Sequence, residues 1–252
     1  MPLTVAQIYR YPVKGLSPEA LGHIVLSPGE GVPHDRRFAL AHGSTNFDVS
    51  APTWMPKTKF LMLMRNERLA RLRTRFDEAT GVLTIQRDGK TVASGNITSQ
   101  TGRTIIEEFF AAYMGSEALG APKLLEAPGH MFSDVARKVV SVIGLASLRD
   151  LERVVRGPVD PQRFRANLYF DGGTAWQEFD WVGREFRIGK VRLRGVKRIE
   201  RCAATNVNPE TGERDLNIPL TLQRGFQHVD TGIYADVLEG GTLAVGSEIT
   251  AG

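Results

Sequence analysis

A single cysteine, Cys202, closes the most cationic stretch of the chain: Arg184 to Arg201 carries eight basic side chains against two glutamates. A thiolate among cations is a soft metal ligand or a nucleophile. Lys197, Arg198 and Arg201 precede the cysteine, and it falls where a basic strand breaks into a turn-rich loop. The competing reading is a small buried hydrophobe, a common fate of free cysteine. With no second cysteine, an intrachain disulfide, multi-cysteine zinc sites and iron–sulfur clusters are excluded.

Other residues could supply an anion site. Tyr11-Pro12-Val13-Lys14-Gly15 ends a strand with an ammonium beside a flexible glycine, suited to a phosphate or to a plain solvated turn. His34-Asp35-Arg36-Arg37-Phe38 brings two guanidiniums to the start of a strand, where they recognise forked oxyanions or make a surface pair with Asp35. Arg163, Arg165 and Asn167 precede another strand; the two arginines would share one face of an extended segment, as a binding wall or a solvated edge. Beyond Cys202, Thr205 and Asn206 lead into Pro209-Glu210-Thr211-Gly212, a turn built to fold back over something. Other chemistries fail. Gly183 to Lys190 lacks P-loop spacing, the five histidines lack ligand spacing, and no Gly-x-Ser-x-Gly is present. Arg65, Arg68, Arg71, Arg73 and Arg75 have no interleaved aromatic platform, so nucleic acid is not expected.

These residues need a rigid frame. Short β-branched or alternating runs (5–11, 20–26, 37–41, 60–63, 69–76, 82–87 and 91–93) predict antiparallel strands, with Asp88-Gly89 as a tight hairpin. After a Pro/Gly-punctuated stretch, residues 138–143, 167–170, 186–188, 191–193, 196–199, 233–237 and 243–245 read the same way. Apolar spacing predicts two helices, over 101–116 and 145–155, with Ser147 and Asp150 as a capping box. The fold class is mainly β with a few helices, and a boundary is expected within 120–135. At 42% apolar residues the chain can build a substantial core. The absence of a signal-like N-terminus and of any run near twenty apolar residues predicts a cytoplasmic protein with no membrane span.

Taken together, Tyr11-Pro12-Val13-Lys14, Asp35-Arg36, Arg163-Phe164-Arg165-Ala166-Asn167 and the run from Arg201-Cys202 through Pro209–Gly212 to Asp215 resemble the MOSC family. The closing segment from Gly232 to Gly241, with Val245-Gly246, agrees. The resemblance implies a MOSC N-terminal β-barrel-like domain over 1–125 packed on a MOSC β-barrel domain over 126–252. It also implies a molybdenum cofactor (molybdopterin) between them, with Cys202 as metal ligand and catalytic residue. Lys14, Arg36, Ser147, Arg165 and Asn167 match positions that contact the pterin or its phosphate. Gly15, Arg163, Arg201 and Thr205, beside them, complete the expected cofactor-binding set. The implied activity is reduction of an N-oxygenated small molecule, with electrons from a separate ferredoxin-like or flavin reductase partner. Two alternatives use the same residues: a sulfur carrier with a Cys202 persulfide, and a non-catalytic binder of an anionic pterin. Pyridoxal phosphate belongs only to a desulfurase module that some relatives carry, and is not expected here. In two places the chain departs from the family pattern. Ser50 to Lys57 lacks an expected arginine, leaving Lys57 as its candidate replacement, and Arg165-Ala166-Asn167 replaces Arg-Pro-Asn.

Overall fold

The computed structural model describes residues 2–251. In chain order its strands are β1 (Leu3–Arg10), β2 (Glu19–Leu21), β3 (His23–Leu26), β4 (Phe38–Ala41), β5 (Leu72–Asp77), β6 (Val82–Arg87), β7 (Lys90–Asn96) and β8 (Lys123–Glu126). They continue as β9 (Val140–Gly144), β10 (Leu168–Asp171), β11 (Glu185–Ile188), β12 (Val191–Glu200), β13 (Asp230–Glu239), β14 (Gly241–Ala244) and β15 (Glu248–Ala251). The helices are α1 (Gln100–Met114), α2 (Leu145–Val155) and α3 (Ile218–Phe226).

Seven strands close a barrel in the order β1-β10-β9-β13-β12-β11-β15 and back to β1. Only β9 and β10 pair in parallel, and α2 lies on the crossover that a parallel connection requires. The barrel core is filled by Val5, Ile8, Val142, Leu168, Phe170, Phe186, Leu193, Ile233 and Val237. Thus β1, from the start of the chain, completes a barrel whose other strands all lie beyond residue 139.

A second core forms where α1 covers the meander β5-β6-β7, with Ile106, Phe110 and Met114 against Leu72, Phe76, Leu83 and Ile85. The Asp-Gly hairpin forms as its sequence requires, with φ of 52° at Asp88 and 74° at Gly89. The pair β3–β14 links the two ends of the chain.

Three local expectations change. Residues 60–63 form no strand: Phe60 makes a bridge to Ala41, and Leu63 begins a turn. The helix α2 begins at Leu145, directly after β9, with Gly144 at its N-cap, so Ser147 already lies inside the first turn and caps nothing. The short α3 was not expected; Asn217 caps it by accepting from the Leu220 amide, and Pro219 occupies its first turn. Among the described residues, no helix is long and apolar enough to cross a membrane.

Candidate cofactor-binding site

The exit of β12 places Cys202. Its backbone is extended, and its carbonyl accepts from the amide and the hydroxyl of Thr205 at 3.1 and 2.9 Å, which sets the turn after it. Thr205 therefore shapes the loop. Arg201 is drawn the other way: its guanidinium donates to the carbonyls of Thr231 and Phe164, tying the end of β12 to β13 and to the turn 161–164. Burial pushes its pKa down, and among the described residues no carboxylate pairs with it.

From the other side of the molecule come Lys14 and Arg36. Val13 bridges to Phe38, which brings Lys14 to the start of β4; its Nζ donates to the Phe132 carbonyl at 3.0 Å and to Asp134 at 2.5 Å. Burial lowers the Lys14 pKa, with Asp134 opposing. Gly15 adopts φ of 83°, and a Cβ there would stand 2.9 Å from the Leu61 carbonyl oxygen, so only glycine lets the 61–64 wall approach.

Arg36 and Arg165 both take left-handed backbone conformations, with φ of 48° and 53°. Such geometry in a non-glycine residue is costly and concentrates at functional sites. Both guanidiniums lie against the ring of Tyr11, at 4.5 and 4.3 Å from its centroid. Arg36 also pairs with Asp35 and donates to the Arg165 carbonyl at 2.8 Å. Arg165 has no ion-pair partner among the described residues, and burial, with Arg36 beside it, brings it down to about 10. With Arg36 paired to Asp35, Arg165 is the uncompensated charge on the tyrosine ring, and it creates a local demand for an anion.

Lys57 reaches the site, 3.8 Å from Asp134, and lines the same cavity as Cys202. Burial opposes its charge, but Asp134 and Cys202 outweigh that and raise its pKa. Asp134 sits in the same wall with its side chain 47% accessible. Partial burial disfavours its charge, yet Lys14, Lys57 and Arg36 pull it down to about 2.

These groups surround one cavity of about 490 Å³, lined by eight basic side chains and four carboxylates. Residues 127–250 match the MOSC domain, and residues 2–121 match the MOSC N-terminal beta barrel domain. The chain belongs to the MOSC family. Among curated relatives, Mitochondrial amidoxime reducing component 2 of Bos taurus is 30% identical over 122 residues, covering 44% of this chain and 36% of that protein. Molybdenum cofactor sulfurase of Drosophila ananassae is 28% identical over 129 residues, 47% of this chain and 16% of that protein. The alignments thus span about a third or less of these relatives' lengths. The solved YUAD protein from Bacillus subtilis is similar over 99% of this chain and 94% of its own, with 10% identity and a TM-score of 0.47.

Within this MOSC chain, Lys14, Gly15, Arg36, Arg163, Arg165, Asn167, Arg201, Cys202 and Thr205 all line the one cavity. Their tasks differ. Arg163 is spent on Asp215 and the Asn206 carbonyl, bracing the loop after Cys202, while its buried Nε has no partner. Asn167 turns its amide toward the barrel, accepting from the Ser141 amide and hydroxyl and donating to Tyr9. Ser147 does not line the cavity. It is buried in α2, donates to Glu178 and accepts from the Trp176 amide, because Gly144 starts the helix early and turns this residue toward Glu178.

Asp134 and Arg214 carry roles that their sequence context does not assign, and Tyr11 stands out in sequence only as the first residue of the Tyr11–Gly15 run. Arg214 is the staple of the site: it donates to the Ala203 carbonyl beside Cys202 and to the Leu63 and Met64 carbonyls and Glu67 on the opposite wall. The turn Pro209–Gly212 folds back over the 67–73 segment, where Arg71 and Arg73 donate to the Thr211 and Pro209 carbonyls. Its position five residues after the turn's first proline is the one signal that sequence offered.

Proposed function

We propose that this protein binds a molybdenum cofactor and reduces N-oxygenated small molecules with electrons from a separate ferredoxin-like or flavin reductase partner. Residues 1–125 and 126–252 act as its two domains, sharing the barrel through β1. The observation that carries the reading is the meeting of a soft sulfur, Cys202, with Lys14, Arg36, Lys57 and Arg165 at one cavity. The donor set fits an anionic, thiolate-ligated group: Arg165 holds a charge without a carboxylate, and the site offers a single thiol.

Bound there, a molybdenum cofactor would supply the two-electron chemistry that turns R–NH–OH, two electrons and two protons into R–NH2 and water. Cys202 offers the sulfur ligand, and Lys57 lines the cavity beside it. Arg36 and Arg165 neutralise a phosphate, with the Tyr11 ring fixing both. Asp134, ionised at physiological pH, keeps Lys14 and Lys57 in place. A reducing compartment such as the cytoplasm suits the free thiol.

Anaerobic purification from a molybdopterin-producing host tests the reading. Molybdenum near one per chain, with amidoxime reduction, is expected, and the reduction should be lost in Cys202→Ser. Cyanolysable sulfur without molybdenum would instead identify a sulfur carrier, the activity suggested by the name of the Drosophila ananassae relative. Neither molybdenum nor labile sulfur would leave a binder of an anionic pterin.

A further inference from the structure

A second cavity of about 280 Å³ adjoins the first, and Asp35 and Met131 line both. The two spaces differ in charge. In the second, each charged group that lines it is compensated: Lys138 pairs with Glu30, Arg37 with Glu126, and Asp35 with Arg36. Its two histidines are biased toward the neutral form. Burial lowers the pKa of both, and His34 is bonded to Arg37 through one ring nitrogen and to Glu78 through the other. The ring of His130 packs against Phe47 and Phe132. Val25, Val32 and Pro33 supply the apolar wall. Such a space favours neutral, apolar matter over anions.

Met131 stands between the cavities. Its sulfur is 3.1 Å from where a Cβ on Gly31 would be, so glycine leaves the space that the thioether occupies. Methionine has three rotatable bonds and yields to ligands of different shape.

We propose that the second cavity is a tail subsite, which takes the apolar, uncharged end of an N-oxygenated substrate, with Met131 as the movable partition. The inference rests on the reductase reading for the reacting end of that substrate, and it explains why an apolar space abuts a cationic one. Met131 is then a specificity-determining residue, and substrate length is the property it reads.

Isothermal titration of the oxidised holoprotein without an electron donor tests this, comparing benzamidoxime with 4-phenylbenzamidoxime. Met131→Ala opens the partition and should raise the preference for the longer ligand by about tenfold, a scale typical of gained apolar contact. Ser27→Trp, at an exposed position on the rim of the second cavity, should lower the same preference by about tenfold. A gain of binding for a larger ligand does not arise from misfolding, and the exposed Ser27 site keeps the test available if Met131→Ala folds poorly. A preference that stays within about threefold of the parent in both variants overturns the proposal. Repeating the comparison with benzamide and biphenyl-4-carboxamide, which have no N–O bond, separates the two ideas. Loss of amidoxime reduction with an intact length preference condemns the reductase reading alone, whereas reduction without any length preference condemns the tail subsite alone.

Discussion

Along β12, arginines at the two ends of one strand are held by different means. Toward its start, Arg192 and Arg194 meet Glu185 at 2.8 and 2.6 Å, and Arg192 also meets Glu239 at 2.7 Å. Just past its other end, Arg201 is held by carbonyls, and across the cavity Arg165 is held by the Tyr11 ring. Carboxylate partners cancel a charge, whereas carbonyls and rings fix it in place and leave it able to attract an anion. The first group stabilises a surface and the second prepares a binding site.

The comparison breaks most visibly at Arg165. Replacing it with Met should reduce retention of the anionic cofactor by roughly 100-fold, the ratio for about 3 kcal/mol of a buried charge pair. The cofactor-free protein should be stabilised by about 1 kcal/mol, because a buried guanidinium without a counter-ion is removed. Paired molybdenum analysis and denaturant unfolding check both signs; loss of both stability and cofactor would make Arg165 a structural residue. Arg214→Ala removes the staple between the Ala203 and Met64 walls and should cost about 2 kcal/mol. Cys202, the single thiol, then reports local opening: its alkylation should quicken about tenfold. Unchanged alkylation kinetics would show that Arg214 does not position the loop.

A smaller effect lies behind α2. Burial raises the Glu178 pKa, against hydrogen bonds from Ser147 and Gly144. The folded state thus favours the protonated carboxyl, so its stabilising contribution is complete below the unfolded-state pKa and is lost as pH rises through the raised folded value. Glu178→Gln should flatten the decline of stability over that window, as urea titrations at several pH values would reveal. Least affected should be Arg194→Ala at the paired end of β12, with Tm unchanged within error by calorimetry. A large change there would remove the distinction between the two arginine groups.

The fold class was legible in the sequence, and the pairing of its strands was not. The isolated cysteine in a basic run, and arginines placed just before strands, located the cavity because those residue types carry their chemistry wherever the chain brings them. Ser147 misled because a capping pattern depends on where the helix starts, and β9 feeding directly through Gly144 moved that start. Asp134 and Tyr11 gain their roles only from partners far along the chain, Lys14 for one and the Arg36–Arg165 pair for the other. Lys57 lies at the end of a long irregular segment, so no period could aim it at Cys202. Closure of the barrel by β1 was equally invisible, since strand alternation fixes which face is buried but not which strand is the neighbour.

Extended X-ray absorption at the molybdenum edge bears most directly on the central claim, with wild type compared against Cys202→Ser under conditions that load both proteins. One sulfur scatterer fewer in the variant is the predicted result. Identical sulfur coordination in the two proteins would contradict the assignment of Cys202 as the metal's protein ligand.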